Sequence, residues 1–185
     1  LIMVRREHKS KIVFYVPLCM GRKMKETKIK NLTKEDFEPF GTIIESPNTK
    51  PTISNRSLDF WGTLTELDVE RPQISFLVVK KRDFNLDQIE RHAKLTEVFI
   101  PLEGISAFPL APPKDVEHPK AKVPLDELAV FLLDGSKGVV MKKGTWHWAP
   151  FPITERATFA VLLGMETVKE DCDIRDVKPP IRIRF

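Results

Sequence analysis

The chain has 185 residues, of which 30% are charged and 42% hydrophobic, and its formal net charge is +4. This length suits one domain with a sizeable core, and the composition is that of an ordinary globular protein. Lysine and glutamate alternate along most of the chain, which is typical of a solvated surface and predicts no nucleic-acid partner. Cys19 and Cys172 form neither a disulfide framework nor a zinc spacing, so we expect a cytoplasmic protein.

The first 23 residues differ from the rest of the chain. A basic stretch precedes the apolar segment IVFYVPLCM (12–20), an order also found in signal peptides. No small-residue cleavage site follows, and the segment is too short to cross a bilayer, so we expect no membrane partner. We interpret residues 1–23 as an N-terminal extension from an upstream start assignment, not native, followed by a single domain at 24–185.

Downstream of Met24 the pattern indicates many short elements. Thr33 followed by Asp36 has the form of a capping box, which predicts the start of a short helix. Gly41 can end that helix. Weak helical turns are expected at 86–91 and 125–128. The predicted strands are rich in Val, Ile, Phe or Trp and are bounded by Gly, Pro, Asp or Asn. They span 42–46, 57–64, 74–81, 96–102, 105–110, 128–133, 138–142, 145–151 and 157–165.

These elements predict the fold class. Many short strands separated by turns favour an antiparallel barrel or a sandwich. A parallel sheet would need long crossover helices, and the sequence has none. We therefore expect an all-β domain with minor helix.

Ionisable residues gather in two stretches. In an extended segment Glu90 and His92 face the same way, and a turn at 93–96 would fold Glu97 back beside them. Burying an unpaired carboxylate is costly, so Glu97 needs either solvent or a partner. In the second stretch His147 faces away from Trp146 and Trp148. Either His147 or the tryptophans then face the interior, and the sequence leaves both arrangements open.

The two stretches together resemble the two motifs of cupin barrels, H-x-H-x(3,4)-E-x(6)-G and P-x-G-x(2)-H-x(3)-N. The first becomes Glu90-Arg91-His92, four residues, Glu97, six residues and Gly104. The second becomes Lys142-Lys143-Gly144, two residues and His147. Glu90 stands in place of the first histidine, Lys142 in place of the proline and Phe151 in place of the asparagine. The resemblance implies a cupin-like antiparallel β-barrel, a double-stranded jelly-roll.

A closer resemblance is to the ureidoglycolate lyase family, a branch of the cupins. ERHAKLTEVFIPLEG (90–104), GTWHWAPF (144–151), DCDI (171–174) and LTKEDFEPFGTIIE (32–45) are similar to segments of that family. The likeness runs from about Thr27 to Asp176 and weakens at 47–63. In that region the family tends to have polar elements near the ligand, and this chain has SNRSLDFWGTL (54–64).

The resemblance implies cleavage of (S)-ureidoglycolate to glyoxylate and urea in allantoin and purine degradation, by a homodimer. It assigns His92 and His147 as bases or metal ligands and Glu97 as a ligand or as the residue that orients a histidine. The divalent metal would be Ni, Mn, Fe or Zn. Lys142 or Arg91 would hold the substrate carboxylate, while Glu90 and Trp61 would line the substrate site.

Other interpretations stay open. The chain is also consistent with a cupin enzyme for a different small hydroxy or keto acid, or with a cupin that binds a small acid without turnover. Glu90 could instead pair with Arg82 at the surface, and Asp173 could anchor the C-terminal turn through hydrogen bonds. His118, in a proline-rich loop, is expected to have no role.

Overall fold

The strand-rich pattern folds into a barrel that packs against a second sheet. The computed structural model describes residues 25–185, and the extension expected at 1–23 lies outside the described residues. The strands are β1 Glu26–Lys30, β2 Gly41–Ile44, β3 Ile53–Asn55, β4 Leu58–Phe60, β5 Pro72–Lys80, β6 Asn85–Arg91, β7 Glu97–Glu103, β8 Ser106–Ala111, β9 Ala129–Leu133, β10 Gly138–Met141, β11 Trp146–His147, β12 Phe151–Pro152, β13 Arg156–Gly164 and β14 Asp173–Arg184. Two short helices accompany them, α1 Lys34–Phe37 and α2 Thr167–Glu170, with a 3-10 turn at Leu125–Glu127.

The larger sheet has the strand order β11-β6-β14-β1-β9-β8-β12, and an additional pairing between β11 and β8 closes six of these strands into a barrel. A second sheet of five strands, called the smaller sheet below, has the order β2-β10-β7-β13-β5, and β3 and β4 form a separate two-stranded sheet. This architecture confirms the predicted all-β cupin-like barrel. It differs from the prediction at β1, which pairs in parallel with both β14 and β9.

Two hydrophobic clusters share the walls of the barrel. One cluster draws its members from barrel strands, among them Leu86, Ile89 and Trp146. The other lies between the barrel wall and the smaller sheet and includes Phe99 and Phe108. Residues that alternate along β8 and β11 therefore face one cluster or the other, because successive side chains of a strand point to opposite faces.

Several local predictions have clear outcomes. Thr33 caps α1, its hydroxyl oxygen accepting a hydrogen bond from the backbone N–H of Asp36 at 3.2 Å, as the capping-box pattern predicted. The turn expected at 125–128 is the 3-10 turn. The helical turn expected at 86–91 is wrong, because these residues form β6. The C-terminal segment forms the long strand β14.

In the described part of the chain, no helix is long and apolar enough to cross a membrane.

Gly104, the glycine of the first motif, has a left-handed backbone conformation that other residues adopt only at a cost in free energy. Its φ is +81°, and a Cβ at this position would collide with the backbone carbonyl oxygen of Arg156. We expect Gly104→Ala to lower the free energy of unfolding by about 2–5 kcal/mol, from left-handed strain plus overpacking. Gly135→Ala is the matched control, because its φ is +94° but a Cβ would meet nothing within 4 Å. If chemical denaturation showed the same loss of unfolding free energy for Gly104→Ala and Gly135→Ala, the predicted collision would be contradicted.

Candidate active site

Strands β6 and β11 bring Glu90 and His147 together. The two residues are directly opposite partners in the β6–β11 ladder, so their side chains share a face. The imidazole of His147 lies edge-on to the rings of Phe99 and Phe108 at 6.2 Å, between the barrel and the smaller sheet. Trp146, on the opposite face, is fully buried in the barrel cluster. The sequence left open whether His147 or the tryptophans face the interior, but the structure buries both faces of β11: Trp146 faces the barrel cluster and His147 faces the inter-sheet space.

Glu97 completes the cluster from the smaller sheet. It is the first residue of β7, where Met141 of β10 is its partner. Its Oε2 lies 3.1 Å from Nε2 of His147 and 3.7 Å from Nε2 of His92. The Glu97 side chain is only 8% exposed, whereas that of Glu90 is 23% exposed. The cluster therefore meets solvent on the side of Glu90.

The turn at 93–96 differs from its prediction. Glu90, His92 and Glu97 do gather in one space, as the sequence indicated, but β6 and β7 are not paired with each other. The turn carries the chain from the barrel to the smaller sheet. The site therefore forms between two layers.

The hydrogen bonds of both imidazoles define their tautomers. Nδ1 of His92 lies 2.6 Å from the backbone carbonyl of Asp171, and Nδ1 of His147 lies 3.1 Å from that of Thr145. A carbonyl oxygen can only accept, so each Nδ1 carries the hydrogen. In the neutral rings, both Nε2 atoms then direct a lone pair into the cluster.

The segment from Asp171 to Asp173 holds the end of β6 in place. The Asp171 carboxylate accepts hydrogen bonds from the backbone N–H groups of Ala93 and Lys94, at 3.0 and 2.9 Å. The thiol of Cys172 donates to Glu90 at 3.1 Å. The sequence indicates DCDI (171–174) only as a family-like segment and not as this clamp, residues 171–173, because its contacts join positions about eighty residues apart.

Two pKa values follow from this environment. Burial lowers the pKa of His147, but the charges of Glu97 and Glu90 outweigh burial and raise that pKa above its ordinary value. Burial, aided by the hydrogen bond to Glu90, raises the pKa of Cys172 to about 12. Cys172 is therefore protonated at neutral pH and acts as a hydrogen-bond donor. It is not a nucleophile there, because only the thiolate is a strong nucleophile.

The donor set fits a divalent metal ion. Glu90, His92 and His147 each offer one ligand atom, and these atoms lie within 4.8 Å of one another. Oε2 of Glu97 is buried and has no hydrogen bond of acceptable geometry, which leaves it a free acceptor. Two imidazole nitrogens, each with its Nδ1–H bound to a carbonyl, plus carboxylate oxygens form a set that Ni, Mn, Fe and Zn share.

Three residues expected at the site point elsewhere. The ammonium of Lys142 bonds to the side chain and carbonyl of Glu38, at 3.0 and 2.6 Å. Arg91 is buried against Trp146 and pairs with Asp173, at 3.2 Å. The indole N–H of Trp61 donates to the carbonyl of Thr49, at 2.9 Å. The structure does not bring these three side chains to the histidine–carboxylate cluster, because strand alternation and local partners direct them away.

The remaining alternatives also have outcomes. Glu90 does not pair with Arg82, whose guanidinium lies over the ring of Phe151 and donates to the carbonyl of Ala149. Asp173 does accept hydrogen bonds from Arg91 and Arg175, but it is the first residue of β14 and so anchors a strand, not the turn that was expected.

Asp171→Ala tests the clamp. The backbone carbonyl that holds His92 remains, but the two hydrogen bonds that position the turn are lost. We expect the catalytic efficiency to fall about 10–100-fold with the fold retained, as for other residues that orient a site histidine. The matched control is Asp176→Ala, which removes an exposed carboxylate paired with Lys178. Steady-state kinetics with circular dichroism makes the comparison, and equal activities of both variants would count against a positioning role.

The fold is a cupin-like barrel with a buried histidine–carboxylate cluster between its two main sheets. The chain belongs to the ureidoglycolate lyase family, whose family model matches residues 24–184. Ureidoglycolate lyase of Pseudomonas paraeruginosa is 33% identical over 147 residues, which cover 75% of this chain and 83% of that protein. Ureidoglycolate lyase of Azotobacter vinelandii is 28% identical, with 75% and 85% covered.

One match among solved structures is RmlC from Streptococcus suis in complex with dTDP-D-xylose. It is 9% identical, with a TM-score of 0.33, and the match covers 50% of this chain and 43% of that one.

Proposed function

We propose that this protein is a lyase that cleaves (S)-ureidoglycolate to glyoxylate and urea. The observation that carries the proposal is the convergence of two Nε2 lone pairs, those of His92 and His147, on the buried carboxylate of Glu97. Family membership supplies the substrate. Neither a cupin enzyme for another acid nor a binding cupin is favoured by that membership.

The substrate carbon carries a hydroxyl, a carboxylate and a ureido nitrogen. Nε2 of His147 takes the hydroxyl proton, because its lone pair is directed into the cluster. The carbonyl of glyoxylate forms as the carbon–nitrogen bond breaks, and the electron pair leaves with nitrogen. The imidazolium then returns the proton to that nitrogen, giving urea, so that no proton is gained or lost overall. Glu97 stabilises the imidazolium while it exists.

A divalent ion at this site would be held by His92, His147 and Glu97, with Glu90 as a further donor. When bound, such an ion supplies positive charge to a hydroxyl and a carboxylate and lowers the hydroxyl pKa. Activity that a chelator abolishes and one divalent metal restores would support this assignment. Activity indifferent to chelator would assign the reaction to proton transfer by the same residues.

The proposed reaction is tested by its products. Purified protein with (S)-ureidoglycolate should release glyoxylate and urea in equal amounts, because cleavage of the one carbon–nitrogen bond gives one molecule of each. Release of ammonia in place of urea would contradict the proposed bond cleavage. Tight binding of the substrate without product would instead favour a binding protein.

The cellular setting belongs to the same proposal. We place the enzyme in the cytoplasm, in the recovery of purine nitrogen from allantoin, and expect a homodimer that acts on a small molecule. Neither Trp146 nor Trp148 offers a surface for that dimer, because Trp146 of β11 is fully buried and Trp148, just after β11, packs against the barrel cluster.

A further inference from the structure

The carboxylate of Glu90 depends on a single hydrogen bond. The thiol of Cys172 donates to Oε2 of Glu90 at 3.1 Å, and no other hydrogen bond within residues 25–185 reaches this side chain. The Glu90 side chain is 23% exposed, so without the thiol it would rotate freely into solvent. Cys172 therefore determines where the carboxylate of Glu90 points.

The two oxygens of Glu90 face different neighbours. Oε2 faces Sγ of Cys172, whereas Oε1 lies 3.8 Å from Nε2 of His147. A separation of 3.8 Å is too long for a hydrogen bond, so Oε1 remains able to accept one. Oε2 of Glu97, whose side chain is 8% exposed, also has no hydrogen bond of acceptable geometry and lies 3.1 Å from the same nitrogen. Two carboxylate oxygens that can still accept hydrogen bonds thus face the ring that the proposed reaction uses.

Both neighbours of Cys172 in the chain are fixed. The Asp171 carboxylate accepts hydrogen bonds from two backbone N–H groups of the turn at 93–96. Asp173 begins β14, which is paired with β6, the strand that carries Glu90. Anchored backbone on either side therefore presents the thiol to Glu90 and limits its freedom to turn away.

We propose that Cys172 is a positioning residue of the active site: its thiol holds Oε2 of Glu90, so that Oε1 stays directed at Nε2 of His147. During the proposed reaction this nitrogen becomes positively charged, and Oε1 of Glu90 stabilises that charge together with Glu97. Cys172 itself forms no bond to the substrate. Its effect on the rate rests on the proposed function, but its effect on Glu90 does not.

The first test needs no activity. Crystal structures of metal-free wild type and Cys172→Ala, grown under the same conditions, should differ at Glu90. The wild type should show one conformation, with Oε2 at the thiol, and Cys172→Ala should show the carboxylate turned into solvent or spread over several rotamers. Cys172→Ser keeps a hydrogen-bond donor, so Glu90 should stay as in the wild type. An unchanged Glu90 in Cys172→Ala would overturn the proposal, whatever reaction the protein catalyses.

The second test separates kcat from KM for the release of glyoxylate. Cys172→Ala should lower kcat about 10–100-fold, the usual effect of removing a residue that orients a site group. KM should keep its wild-type value, because the charge on His147 exists only after the proton has moved. Cys172→Ser should recover most of the lost rate. A loss confined to KM, or no recovery by serine, would overturn the positioning role.

Ser136→Ala is the matched control for these kinetics. It also removes a donor to a carboxylate, that of Asp134 at 2.6 Å, but in an exposed turn. This variant should match the wild type in both kcat and KM. A loss equal to that of Cys172→Ala would contradict an effect specific to Glu90.

A double-mutant cycle tests whether the thiol acts through Glu90. Glu90→Gln should lower kcat by a similar factor, and Cys172→Ala added to Glu90→Gln should lower it no further. Losses that multiply in the double variant would show that the thiol acts independently of Glu90 and would overturn the proposal. Absence of glyoxylate from the wild type would contradict the proposed reaction alone, and the crystal structures would still decide the role of Cys172.

Discussion

Replacing either His147 or His92 with alanine should lower the catalytic efficiency for (S)-ureidoglycolate by about 10³-fold, the usual contribution of a positioned acid–base group. Both rings direct Nε2 into the cluster, and each is held there by a hydrogen bond from Nδ1 to a backbone carbonyl. Alanine removes the nitrogen and leaves the backbone carbonyls unchanged. Steady-state release of glyoxylate measures the loss.

The matched control for both variants is His118→Ala. His118 lies in an exposed loop, and its backbone carbonyl, which accepts a hydrogen bond from Arg91, survives the substitution. We expect wild-type activity from this variant. If His147→Ala retained more than about a tenth of wild-type activity, the assignment of acid–base work to this ring would fail.

Glu97→Gln should have an effect of similar size. The amide keeps the shape of the side chain but removes the charge that stabilises a protonated or metal-bound His147, so we expect about a 10³-fold loss of catalytic efficiency. The pKa of His147 should also fall, because the Glu97 charge is a major cause of its rise and burial opposes it. NMR titration of the imidazole in metal-free protein measures this shift.

The sign of the pH dependence follows from the same contact. A His147 pKa that is raised above 6.5 stabilises the fold below that pH, and the contribution is lost as pH rises through the folded-state pKa. Metal-free wild type should therefore lose more stability than Glu97→Gln in urea titrations as the pH rises above about 6.5. Glu103→Gln, an exposed glutamate on the same strand, is the control for both measurements and should match the wild type.

Strand alternation and motif spacing made much of the site predictable. The spacing from Glu90 to His92 and Glu97, with His147 in the second stretch, indicated residues that the structure brings together. Their chemical roles remain proposals. Lys142 stands at a motif position, but the motif does not show which way its side chain points. Met141 lies opposite Glu97, so the next residue must face away from the cluster.

The mistaken helical turn at 86–91 has a physical cause. Leu86 and Ile89 are three residues apart, a spacing typical of one helix face, and both are buried in the barrel cluster. In the structure a register shift in β14, between Asp176 and Ile181, alters the pairing between these two positions. Pairing with a distant strand overrode the local pattern, and no local sequence signal reports such a shift.

The clamp at 171–173 could not be predicted for a different reason. Two of its contributions are a backbone carbonyl to His92 and backbone N–H groups from Ala93 and Lys94, and backbone groups are the same at every position. Only the fold brings these groups near the cluster. The sequence signal, DCDI, came from family resemblance and carried no geometry.

The most direct test of the account is glyoxylate release from (S)-ureidoglycolate by purified wild-type protein, measured beside His118→Ala and Glu97→Gln. The account predicts steady release by the first two proteins and about 10³-fold slower release by the third. No release by the wild type, with divalent metal added, would contradict the proposed reaction. Equal release by all three would contradict the proposed site.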